Sequence, residues 1–346
     1  MGYMKIFMWT MPLTFAMFLM ISLLRGIGDS KTPLYFQAGS LFINAVLDPL
    51  LIYGLCGLPK LGLNGTAIAT VIAQAIAIVA LLSYLGSKRH IVAPDWAHLG
   101  LDFQTSWTML RIGVPAMVQQ SLISVGMFVI VGIVNSFGAT GMAAYGLASR
   151  VDQFAFMPAL MMGTAVSTLA GQNIGAGQYH RVKEVFKWGL ILFCSMTAVA
   201  SIMAYSIPDV LMRLFIKDAS VISVGVAYLR IMAMGYIFFA ILFVSNGVIN
   251  GAGHTFITTL ISLVSLWVVR VPLAEYLSNR MHRIEGIWYA MLISFAIGTT
   301  ISLAYYFSGR WKNPVGHKSR GYQQAIQETS ADANAGCDGR LDIDVE

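Results

Sequence analysis

From Leu34 to Leu55 the chain carries one charged side chain, Asp48, in an apolar run long enough to cross a bilayer as a helix. A carboxylate at that depth costs roughly 2.5–3.5 kcal/mol on insertion scales, so it faces protein or a water cavity and handles a proton or a cation. Asn44 stands one turn earlier on the same helical face. Pro49 has no N–H and frees the carbonyl of Ala45 beside them. The result is a cluster of oxygen ligands at membrane depth. A buried polar pair that only locks helix packing is the plain alternative. It is the weaker one, because an unpaired carboxylate is a costly structural device there.

Composition extends this to the whole chain. Of 346 residues, 57% are hydrophobic and 11% charged, with a mean hydropathy of +0.70, whereas soluble domains average about 25% charged residues. The fold class is therefore all-α and polytopic. Six of the 16 acidic residues fall after residue 308, and most others lie in connecting segments, leaving Asp48 and Asp152 as acids within or at the mouth of the membrane. A net charge of +6 could suggest nucleic acid, but the basic residues are dispersed at span ends, which argues against that partner. Cys56, Cys194 and Cys337 have no metal-ligand spacing, and no resident cofactor or metal is expected beyond a Na⁺ at Asp48 and Asn44.

Nine helices are expected, over 5–24, 34–55, 63–86, 107–136, 143–170, 186–207, 221–249, 255–278 and 285–308. They divide into a partial N-terminal lobe (1–86), an inter-lobe link (87–106), a six-helix C-terminal lobe (107–308) and a disordered tail (309–346). Alternating the connections puts twelve basic residues on one side and five on the other, so the C-terminus is expected in the cytoplasm and the protein in the plasma (inner) membrane, among lipid. GQNIGAG (Gly171 to Gly177) lacks the Lys-Ser/Thr ending of a phosphate loop and reads as a helix stop.

The chain also repeats itself. LLRGIGDSKTPL (Leu23 to Leu34) resembles VINGAGHTFITTL (Val248 to Leu260), with Gly26 and Gly28 matching Gly251 and Gly253; further on, Gly65 matches Gly286. Repeats of this kind are common in transporters, with the substrate site between the halves. Spans four to six have no earlier counterpart. The expectation is that about three helices precede Met1 and that the chain is a fragment.

At this point the chain resembles the multidrug and toxic compound extrusion (MATE) transporters, from span four of twelve to the end. RGIGDSKTPL with NAVLDPLLIYG, GLPKLGLNGTAIAT, and AAYGLASRVDQFAFMPALMMGTAVSTLAGQNIGAG carry the resemblance jointly. It implies two six-helix lobes around a cavity that opens alternately to each side, exporting organic cations in exchange for Na⁺ or H⁺. The Asn-x-x-x-Asp pair looks like the DinF-like branch, which assigns cation coupling to Asn44 and Asp48 and a neighbouring hydroxyl ligand to Thr70. The aspartate that the family's first helix adds to this site is absent, so the site is expected to be incomplete.

Substrate contacts are expected from Gln119, Gln120, Asp152, Gln153, Asn246 and Asn250. Asp152 also has a plain reading as an ion pair or interface anchor near Arg150 at the outer mouth of its helix, and the two asparagines as interhelical glue. Arg230 and Arg270 read as span-end residues that snorkel. The expectation is a monomeric antiporter acting on a small organic substrate. A lipid-linked oligosaccharide flippase should hold more basic residues within its spans. A membrane enzyme should show paired acids or a histidine cluster, and neither is present in the sequence. A non-transporting remnant is the third alternative.

Overall fold

A chain that crosses lipid must satisfy its backbone within each crossing segment, and helix is the only regular structure among the described residues of the computed structural model (2–54, 60–88 and 103–313). Among the described residues eight helices are long and apolar enough to span a bilayer; Thr10–Gly26, within the first helix, is a shorter apolar helix. The expected link over 87–106 and tail over 309–346 fall mostly outside the described residues. Two compact units, Met1–Leu101 and Asp102–Glu346, divide the chain.

The first unit holds α1 (Gly2–Gly26), α2 (Lys31–Tyr53) and α3 (Leu63–Ser87). Asp29 opens α2 by accepting the Lys31 and Thr32 amides at 3.0 Å each, and Gly54, in the left-handed region at φ 72°, closes it. Met17, Ile21 and Leu24 of α1 pack against Ala77, Leu81 and Leu85 of α3. Small residues let α3 approach α2 as well: a Cβ on Gly65 would lie 2.8 Å from the Leu51 carbonyl carbon.

The second unit contains α4 (Phe103–Asn135), α5 (Gly138–Gly175), α6 (Tyr179–Ser206), the short α7 (Pro208–Arg213) and α8 (Ala219–Gly251). After these come α9 (Thr255–Leu263), α10 (Val271–Met281) and α11 (Glu285–Phe307). α5 and α8 form its centre and run in the same direction. Gly247 packs so closely on α5 that a Cβ there would sit 2.8 Å from the Gly163 carbonyl oxygen. Between α9 and α10, Val264–Arg270 is a π-helical stretch in which the Val271 amide reaches back to the Leu266 carbonyl. Pro272 follows and cannot donate, so the wide turns precede the residue that would otherwise break the ladder.

The repeat is visible atom by atom. Gly28 and Gly253 both take positive φ (93° and 80°). The residues after them return to the fifth carbonyl back, Asp29 to Leu24 at 3.0 Å and His254 to Ile249 at 3.1 Å. Gly286 matches Gly65 in packing, since a Cβ on it would lie 2.6 Å from the Ser278 amide nitrogen of α10. GQNIGAG ends α5 with Gly177 at φ 71°, the helix stop expected of it. One expectation is corrected: Arg270 is no snorkelling span-end residue. It lies inside the helix that runs from Thr255 to Met281 and is 8% exposed, because the π-helical stretch carries it into the core.

Candidate functional site

In the first unit, α3 presents Thr66, Thr70 and Gln74 at one-turn intervals. The Thr70 hydroxyl donates to the Thr66 carbonyl at 2.9 Å and accepts the Asn44 side-chain amide of α2 at 3.2 Å. Thr14 of α1 donates to the Gln74 side-chain carbonyl at 3.0 Å. Three helices thus meet along a polar line. Asp48 lies one turn beyond Asn44, and its Oδ1 is buried with no hydrogen-bond partner. Asn44, Thr70 and Asp48 are each half-buried. Asn44 and Thr70, which the family resemblance places at one site, are in contact. Thr14 and Gln74 were missed, although an amide inside an alanine-rich span already signals a partner within protein.

In the second unit, α5 puts Asp152 about four turns inside the helix rather than at its mouth. It is 2% exposed. Its two carboxylate oxygens accept the hydroxyls of Tyr228 and Tyr236, both from α8, while Arg150 is exposed. Tyr145 stacks on Trp288 with ring centres 5.5 Å apart, and Tyr228 meets the same indole edge-on at 4.7 Å. Arg270 donates from Nε to the Ser294 hydroxyl at 2.7 Å and lies 4.5 Å from the centre of the Phe295 ring.

The remaining expected substrate residues divide. Gln120 and Gln153 are exposed. Gln119 donates to the Ser262 hydroxyl at 2.8 Å. The side-chain carbonyl of Asn246 accepts from Ser302 at 2.8 Å, and that of Asn250 from Thr258 at 2.7 Å, so both asparagines tie α8 to neighbouring helices. An open apolar cleft of about 550 Å³ runs along α4, between Val114, Val118, Leu122 and Trp267. Among the described residues no group of three or more His, Cys, Asp or Glu could hold a metal ion.

Repeated spanning helices with a carboxylate set inside each unit are the marks of a secondary transporter embedded in a membrane. A family model described as MatE matches residues 115–275. The probable multidrug resistance protein YoeA of Bacillus subtilis is 33% identical over 309 residues, covering 88% of this chain and 67% of that protein. A probable multidrug resistance protein of Thermotoga maritima, NorM, is 28% identical over 299 residues, covering 84% and 63%. Among solved structures, MATE in the bent conformation matches with a TM-score of 0.83 at 18% identity, over 95% of this chain and 70% of that one. The chain belongs to the MATE family of secondary active transporters, a class that is not enzymatic. It spans about two thirds of the length of the curated relatives it matches.

Proposed function

We propose that this chain works in a cation-coupled antiporter that exports amphipathic or cationic organic compounds by alternating access, with α1 completing nine spans and the two units belonging to the two lobes. The observation that carries the reading is the buried, unpartnered Oδ1 of Asp48 one turn from the Asn44–Thr70 bridge. A carboxylate oxygen without a donor is free to take a proton or a Na⁺, and the hydroxyl and amide oxygens beside it suit a hard cation. Binding on one side and release on the other would drive the change of access. The multidrug relatives support organic export, and the apolar cleft beside Trp267 is within the size of small-ligand pockets. Gln120 and Gln153 are proposed as substrate contacts. Gln119, Asn246 and Asn250 would have to exchange an existing bond for one to substrate.

Vesicle efflux of ethidium under imposed Na⁺ or H⁺ gradients tests this. Asp48→Asn is expected to abolish gradient-driven efflux while inserting normally. Unchanged efflux overturns the assignment. The flippase alternative gains one observation, Arg270 within a span, but that guanidinium is already occupied by Ser294 and Phe295.

A further inference from the structure

We infer that Asp152, gripped by Tyr228 and Tyr236, is a proton-binding site of the second unit, and that loading it loosens the seam between α5 and α8. The inference goes beyond coupling at Asp48 and does not depend on it.

Ionised, a carboxylate only accepts; here both oxygens are occupied, one by each phenol. Tyr228 and Tyr236 stand about 12 Å apart along α8, so the carboxylate is met from two directions. Both phenols are almost fully buried, as is Asp152. A proton added to either oxygen turns it into a donor. That oxygen keeps one lone pair but is a poorer acceptor than a carboxylate, so the phenol facing it donates more weakly or turns to accept, and one of the two ties between the helices is weakened or reversed.

The surroundings fit a proton better than a larger cation. Two hydroxyl hydrogens already point at the carboxylate and repel a metal ion or an organic cation, whereas a proton needs no added space. The groups facing the site are Tyr145 on α5 and Tyr228 and Tyr236 on α8; Arg270 lies within electrostatic reach of Tyr145 and Tyr228. Arg150 and Arg230 are exposed. Trp288 of α11 packs against both Tyr145 and Tyr228, and its buried indole N–H has no acceptor.

The seam has two halves. Beyond Asp152, α5 and α8 are joined by glycine contacts, Gly163 with Gly247 and Gly171 with Gly251, which depend on close packing alone. Asp152 supplies the charged tie in the other half. A change of charge there biases the packing of two adjoining helices, which is how protonation switches operate.

Hydrogen–deuterium exchange and infrared difference spectroscopy on the full chain in nanodiscs test the inference. In the wild type, segments 145–160 and 225–240 are expected to exchange several-fold faster in acid than at neutral pH, after correction for intrinsic rates. A carboxylic-acid C=O band should accompany the change. Asp152→Asn should lose that band and exchange fast at both pH values. Tyr236→Phe, which keeps the carboxylate, should keep the band and show a smaller acid response. Equal exchange at the two pH values in the wild type, or a full acid response in either variant, overturns the inference. Should Asp152→Asn fail to fold, the Tyr236→Phe comparison decides. Neither readout requires transport, so failure of the coupling proposal at Asp48 leaves the result interpretable.

Discussion

The Asn44 side chain donates to the Thr70 hydroxyl across 3.2 Å, joining α2 to α3 one turn from the unpartnered oxygen of Asp48. Thr70 in turn donates to the Thr66 carbonyl, which fixes its oxygen lone pairs toward α2. Thr70→Val removes the acceptor and is expected to raise the cation concentration for half-maximal efflux several-fold. Thr70→Ser keeps the hydroxyl and should stay near wild type. The stability change should be small, about 0.6 kcal/mol on average for a hydrogen bond between membrane helices. Efflux titrated against the coupling cation checks the order of the three proteins.

Gly65 and Gly286 should tolerate no Cβ. In each case the added atom would lie under 3 Å from backbone of the preceding helix, Leu51 and Ser278 respectively. Backbone cannot step aside as a side-chain tip can, so alanine at either site should destabilise the chain by about 1–3 kcal/mol, the usual cost of overpacking. Gly39 of α2 has nothing within 4 Å, and alanine there should be neutral or slightly stabilising. Thermal unfolding in detergent distinguishes the sites. Equal melting temperatures for all three alanine variants would contradict this packing.

Arg270 should resist exchange for lysine. Its Nε bonds Ser294 while its guanidinium plane lies over Phe295, and an ammonium cannot do both. Arg270→Lys is expected to lower the unfolding midpoint more than Ser294→Ala, which removes only the acceptor. A milder effect from Arg270→Lys would show that charge alone is needed.

Asp218, outside the spans at the start of α8, gives a pH dependence. Its Oδ1 accepts the Ser220 hydroxyl at 2.7 Å and the Ser220 amide at 2.9 Å. These bonds, the hydroxyl's foremost, hold the carboxyl below its ordinary value of 3.8. The folded state thus favours the charged form, so the cap's stabilisation is present above that value and is lost as pH falls below it. Asp218→Ala should therefore melt below wild type at neutral pH, with the gap closing in strong acid. A gap independent of pH would rule the cap out.

Much of this was legible in local pattern. Span-length apolar runs mark the helices, and Gly28, Gly177 and Gly253 mark stops because only glycine takes that backbone without strain. Asn44 and Asp48 share a face by spacing alone. What escaped was pairing at a distance. Tyr228 and Tyr236 lie 76 and 84 residues from Asp152, and a tyrosine in an apolar run looks like any packing aromatic until its hydroxyl's partner is known. Arg270 was misplaced for a related reason, since its inward position needs a π-helical stretch that helical periodicity does not reveal.

The most direct test follows the coupling ion itself. Vesicles carrying the chain are loaded with a pH-sensitive dye or with ²²Na⁺, and an organic cation is added outside. An H⁺ or Na⁺ flux opposite to the organic cation is expected in the wild type, and none in Asp48→Asn. An equal counter-flux from Asp48→Asn would contradict coupling at Asp48.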